Sequence, residues 1–126
     1  MGVNENYFFD SYALIEIIKA NPLYLKYQQY AVTITIFNLI EVVYSVFLDF
    51  GEEKAKETYQ KFYSCVEDVD QEIMIEALKL KQKYKKRDLS YADCVGYAFA
   101  KAKNMLFLTG DSDFKDLENV EFVRKE

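Results

Sequence analysis

The chain has 126 residues and 14.8 kDa, with 51% hydrophobic and 29% charged residues, four Gly and one Pro; this suits one globular domain over residues 1–126 and excludes collagen-like, Pro-rich and extended disordered chains. It has no histidine, so Ser-His-Asp and Cys-His nucleophile systems, imidazole bases and His-containing zinc sites cannot be built. Sixteen basic against twenty-one acidic residues give a net charge of -5, so a polyanionic substrate would need a local basic patch, bound divalent cations or both.

In chain order, Tyr7 to Phe9 is a short apolar run of strand type, and Ser11 to Ala20 carries Leu14, Ile15, Ile17 and Ile18 at helical spacing. Asn21 and Pro22 break that helix and start a short second one. The β-branched segment Ala31 to Thr35 reads as a strand, followed by an apolar helix from Ile36 to Phe50 that stops at Gly51 and a more polar helix from Glu52 to Ser64. Cys65 to Val69 reads as a short strand, and Asp70 caps a helix reaching about Lys85. Ser90 opens a further helix ending near Asn104, Met105 to Leu108 is a run of buried-strand type, and Glu121 to Val123 is a last strand. Strands alternating with helices imply right-handed crossovers, a parallel sheet sandwiched between helices and an α/β fold.

The thiols Cys65 and Cys94 are too few for a four-thiolate zinc site and read as buried groups in a reducing compartment. The start MGVNENYFF lacks a basic region followed by an apolar stretch, and Asn6 stands where a myristoylation signal has Ser or Thr, so the expected location is the cytoplasm. The weakly charged stretch from Val32 to Leu48 is interrupted by Thr33, Thr35, Asn38, Glu41 and Ser45 and falls short of the ~20 apolar residues a bilayer needs; it is expected to be core.

Parallel α/β sheets bind ligands at the carboxyl ends of their strands. Here those ends are acidic: Asp10 follows the first strand, and Asp111 and Asp113 follow the strand ending at Leu108. Each acid also has a structural reading, since Asp10 and Asp111 can cap the turns they precede and Asp93 closes the capping pattern Ser90-Tyr91-Ala92-Asp93. Glu41 is the only charged residue between Val32 and Leu48, among Phe37, Ile40, Val42, Tyr44 and Leu48, with no Lys or Arg on its own helix to pair with. A lysine from another element would satisfy it. So would a cation shared by Asp10, Glu41, Asp93 and Asp111, with Asp113 nearby, and an all-oxygen donor set points to Mg²⁺ or Mn²⁺. The hydroxyls of Ser11 and Thr109 sit beside these acids and could orient ligands or water.

The segments Phe9-Asp10-Ser11, Asn38-Leu39-Ile40-Glu41-Val42, Ala92-Asp93 opening an apolar helix with Ala98 and Ala100, and Leu108-Thr109-Gly110-Asp111-Ser112-Asp113-Phe114 resemble the PIN-domain ribonucleases in order and spacing. The resemblance runs from Tyr7 to Val123 and is closest to the small VapC-like toxins of type II toxin–antitoxin systems. It implies a central parallel sheet of about five strands flanked by helices on both faces, and a Mg²⁺- or Mn²⁺-dependent endoribonuclease leaving 5′-phosphate and 3′-hydroxyl ends. It also implies an antitoxin that blocks the acidic pocket, and a homodimer. Asp10 and Asp93 match the metal-binding aspartates, Glu41 the helix glutamate and Asp111 the acid after the late strand; Asp113 ranks second to Asp111 and shares with Glu41 the role of orienting water or supporting a second ion.

The one dense basic cluster runs Lys79, Lys81, Lys83, Lys85, Lys86 and Arg87. Lys85, Lys86 and Arg87 would grip RNA phosphates, or the cluster would simply complement a helix carboxyl end. Tyr24, Tyr27 and Tyr30 form a stripe suited to packing, to a dimer or to an antitoxin helix. The rival readings are a metal-dependent nuclease cutting DNA or processing RNA outside toxin–antitoxin systems, and a non-catalytic interaction module whose acids only cap helices.

Overall fold

A computed structural model describes residues 6–124, so the first five residues of the MGVNENYFF segment lie outside the described residues. Successive strand residues face opposite sides of a sheet, and the two central strands use this to divide the core. In β1 (Tyr7–Phe9) and β2 (Leu106–Thr109), Phe8 and Phe107 point to one side, where Ile73 and Ala77 of α4 (Gln71–Lys83) and Val95 and Phe99 of α5 (Tyr91–Ala102) pack on them. Tyr7, Phe9 and Leu108 point to the other, against Leu14 of α1 (Ser11–Ile18), Tyr24 and Tyr27 of a 3-10 helix (Pro22–Gln29), and Leu39 and Val42 of α2 (Ile36–Phe50). Helices therefore cover both faces, as expected.

β1, β2 and β3 (Val120–Phe122) are parallel in that order, with Phe9 opposite Leu108 and Thr109 opposite Phe122. The sheet thus has three strands among the described residues, not five. The two missing strands reduce to one parallel bridge, Ile34 to Val66, held alongside β1 by the Phe9 N–H donating to Thr33 O at 3.0 Å. The reason is local. Thr35 already caps α2, and Cys65 closes a single 3-10 turn (Tyr63–Cys65) after α3 (Glu52–Phe62), which leaves each segment too few extended residues for a ladder.

α2 spans the predicted residues because both ends are specified. A Thr35/Asn38 capping box starts it, and Gly51, at φ +93°, ends it in a conformation that an L side chain resists. Its burial differs from expectation. Leu39, Val42 and Val46 face the core, whereas Ile40, Tyr44 and Leu48 are each more than 60% exposed, because no other described element covers that side. Of the readings of the tyrosine stripe, the structure takes packing. With three residues per 3-10 turn, Tyr24 and Tyr27 share the inner face; their hydroxyls donate to Val123 O and Glu121 Oε2, both at 2.5 Å, and Tyr30 packs edge-on against Tyr7. Both cysteines are free thiols, Cys94 buried and Cys65 half-buried. Among the described residues no helix is long and apolar enough to cross a membrane.

Candidate active site

The pairing of Phe9 with Leu108 places the next residues, Asp10 and Thr109, side by side at the carboxyl edge of the sheet. Asp10 is only 1% exposed. Its Oδ1 accepts the Ala13 N–H at 2.7 Å, capping α1, and its Oδ2 accepts the Thr109 hydroxyl. Burial pushes its carboxyl from 3.8 up to about 8; the Thr109 and Ala13 hydrogen bonds oppose this, and the nearby Asp93 and Asp111 charges add to it.

Asp93 is held at the start of α5 by a reciprocal capping box. Its N–H donates to Ser90 Oγ at 3.0 Å, and its Oδ2 accepts the Ser90 N–H at 2.9 Å. Burial raises its carboxyl to about 6 against hydrogen bonding from the Ser90 backbone and side chain, with further elevation from the charges of Asp111 and Glu41.

Asp111 is positioned by Thr109, whose hydroxyl oxygen accepts the Asp111 N–H at 3.0 Å; Asp111 Oδ1 accepts the Asp113 N–H at 2.9 Å and caps the turn Ser112–Phe114. The turn leaves β2 through Gly110, where a Cβ would stand 2.6 Å from the Tyr24 hydroxyl and 2.7 Å from the Val123 carbonyl oxygen. Only glycine fits there.

Glu41, half-buried on α2, accepts the Ser11 hydroxyl through Oε1 at 2.5 Å. Ser11 is itself held by Asn38, whose Nδ2 donates to Ser11 Oγ at 3.1 Å while its Oδ1 accepts from the backbone and hydroxyl of Thr35, both at 2.9 Å. The partner of Glu41 is therefore a hydroxyl and not a lysine. Asn38, at 1% exposure, is the positioning residue that sequence reasoning passed over; a lone amide three residues before Glu41 in an apolar helix was the available signal.

The four carboxylates thus feel one another: Asp10 with Asp93 and Asp111, and Asp93 with Asp111 and Glu41. Among the described residues none of them is in an ion pair. The carbonyl oxygen of Asp113 accepts Arg87 Nη1 at 2.6 Å. Arg87 is also clamped to Asp116 by two 3.0 Å bonds, whereas Lys85 and Lys86 are exposed beyond the end of α4.

Capping and clustering prove compatible. Asp10, Asp93 and Asp111 each spend one oxygen on a cap, as the structural reading expected, yet all three sit at the same edge beside Glu41. With the side chains turned to those caps, no group of three Asp, Glu or Cys residues among the described residues is arranged to hold a metal ion. The donor set nonetheless fits one in chemistry. It is all oxygen, lacks a protein cation, and two of its acids are held well above their ordinary range, which a divalent ion would relieve.

A family model described as PIN domain matches residues 7–120. No curated protein matches the chain in sequence. Among solved structures, VapC20 of Mycobacterium tuberculosis, described as a sarcin-ricin loop cleaving toxin, superposes with a TM-score of 0.79 at 18% identity, covering 94% of this chain and 99% of that one. A toxin–antitoxin complex from Klebsiella pneumoniae gives 0.70 at 18% identity, covering 93% and 96%. VapBC2 of Rickettsia felis, bound to a DNA fragment from its promoter, gives 0.67 at 19%, covering 95% and 98%.

Proposed function

That the chain belongs to the PIN domain family is the premise from which we propose that it is a Mg²⁺- or Mn²⁺-dependent endoribonuclease, the cytoplasmic toxin of a toxin–antitoxin pair, working as a single PIN-like domain. The observation that carries this reading is the mutual coupling of Asp10, Glu41, Asp93 and Asp111 at the carboxyl edge of a parallel sheet, with no protein cation among them. RNA as substrate and an antitoxin as partner are supported by the likeness to VapC20, described as cleaving the sarcin-ricin loop, and to the two toxin–antitoxin complexes.

Asp10, Asp93 and Asp111 would hold the ion, through oxygens left over from their caps, with Glu41 beside them. A bound divalent cation supplies Lewis-acid polarisation of the phosphodiester and activation of water. The chain's own part is to fix the acids and handle the proton. Thr109 steadies Asp10 with its hydroxyl and Asp111 with its oxygen. Ser11, anchored by Asn38, aims Glu41, whose second oxygen can accept a proton from the attacking water. We assign that role to Glu41 in preference to Asp113 because Ser11 aims Glu41 and its charge acts on Asp93.

The partner half of the reading finds support in a groove of about 490 Å³ between α2 and α3, lined by residues such as Ile40, Tyr44, Phe47 and Tyr59. An uncovered apolar face of this kind is characteristic of protein contact, here an antitoxin segment, with a homodimer as the resting assembly. The test is cleavage of single-stranded RNA with Mg²⁺ or Mn²⁺, set against the same strand as DNA. RNA should be cut only with the ion present, and Asp10→Asn and Asp93→Asn should each abolish cutting; cleavage retained by either variant refutes the assignment.

A further inference from the structure

Outside the carboxylate cluster, one concave site combines charge with an exposed aromatic ring. A pocket of about 380 Å³ is lined by Leu78, Lys81, Gln82, Lys85, Arg87 and Tyr91. Tyr91 is 60% exposed although it opens α5, two residues before Asp93. Lys81 spans the pocket; its ammonium donates to Leu89 O at 2.7 Å and stands 4.8 Å from the centre of the Tyr91 ring. Of the basic groups here, Arg87 is paired with Asp116, but Lys81 and Lys85 are in no ion pair among the described residues.

One wall of the pocket reaches the turn at the acidic edge. Arg87, on that wall, bonds the carbonyl of Asp113, in the turn that Asp111 caps. A polyanionic strand meeting a chain of charge -5 therefore finds unpaired cations and a stacking face in a pocket joined through Arg87 to the turn that Asp111 caps.

Resting on the nuclease reading above, we propose that this pocket is a subsite for the RNA strand next to the cleaved bond: Lys85 and Lys81 take a flanking phosphate and Tyr91 stacks an unpaired base. Each component acts by a recognised route, since cations on phosphate give a salt-dependent term and aromatic faces stack bases with little regard to sequence. The chemistry is that of a single strand, because a paired base cannot reach the ring.

The experiment measures binding of a short fluorescent single-stranded RNA in EDTA across a salt titration, with Tyr91→Ala, Tyr91→Phe and Lys85→Gln. Exposure of both side chains keeps the fold out of the comparison, and thermal melting checks it. Tyr91→Ala should weaken binding by about fivefold or more while Tyr91→Phe stays near the parent, and Lys85→Gln should lower the salt slope by roughly 0.7. Unchanged affinity in Tyr91→Ala, or an unchanged slope in Lys85→Gln, overturns the subsite, as does equal loss in Tyr91→Ala and Tyr91→Phe.

A parallel assay uses Mn²⁺-dependent hydrolysis of bis-p-nitrophenyl phosphate, a diester too small to span both places. The parent should hydrolyse it and Asp93→Asn should not. No hydrolysis by the parent protein refutes the nuclease reading, whereas hydrolysis with RNA affinity indifferent to Tyr91 refutes the subsite alone.

Discussion

Replacing Asp10 by Asn should change the sign of its effect on stability with pH. In the folded chain the Asp10 carboxyl titrates at about 8, against 3.8 when unfolded. Between those values the folded state binds the extra proton, so the stability of the metal-free protein is complete below pH 4 and is lost progressively as pH rises through 8. At ~1.4 kcal/mol per pH unit the loss reaches about 6 kcal/mol, large beside the 5–15 kcal/mol that typically holds a domain together. Asparagine keeps the shape and the cap to Ala13 without a charge to bury, but the Thr109 hydroxyl loses its acceptor, which costs about 1–2 kcal/mol. Asp10→Asn should therefore be slightly less stable than the parent at pH 4 and several kcal/mol more stable at pH 8, a rise in Tm of about 5 °C or more. Mn²⁺, by displacing the proton, should stabilise the parent more at pH 8 than at pH 6 and the variant hardly at all. Thermal melting in EDTA and in Mn²⁺ at these pH values measures all three effects. A variant destabilised equally at every pH, or one that Mn²⁺ still stabilises like the parent, refutes the reasoning.

Ser11→Ala removes the 2.5 Å donor to Glu41, and RNA cleavage should fall by about 10- to 100-fold while melting of the metal-free protein moves little; full cleavage would detach Glu41 from the chemistry. Gly96→Ala would set a Cβ 2.6 Å from the buried ring of Phe8, so urea unfolding should show a loss of about 1–3 kcal/mol, and a neutral result would mean that the ring moves freely. Ala20, at φ +61° after α1, sits in the left-handed region, so Ala20→Gly should gain about 1 kcal/mol in the same assay; a loss would contradict strain at that residue. Asp93→Asn should melt in EDTA with a weaker dependence on pH between 4 and 6 than the parent, because the carboxyl held at about 6 is gone; an unaltered pH dependence would place that titration elsewhere.

Where the chain carries its own local instructions, the sequence was enough. α2 begins at Thr35 and ends at Gly51 because cap and stop are both written there, and Asp70 and Ser90 start α4 and α5 by the same means. The segments at 31–35 and 65–69 misled because β-branching reports a preference for extension, whereas a ladder needs extended neighbours, and Thr35 and Cys65 are already committed to other turns. The outward Ile40, Tyr44 and Leu48 misled for a related reason: apolarity says what a face prefers, and only its neighbours decide whether it is covered. At the candidate site, the acids and their order along the chain were visible. Their hydrogen bonds were not, because the meeting of Asp10 with Thr109 depends on strand register and the Asn38–Ser11–Glu41 relay joins residues 27 and 30 apart in sequence.

The double duty of Asp10 and Asp93, each fastening the first turn of a helix with an oxygen of the carboxylate it offers the cluster, limits how this domain could lose its activity and still stand. Alanine at either place would unfasten a helix as well as remove a candidate metal ligand, whereas Asn would remove the charge and leave the helix tied. Descendants that kept only a binding role would be expected to carry amides at these two places, an inert copy nearly identical in shape to its active parent and harder to melt in mildly alkaline solution.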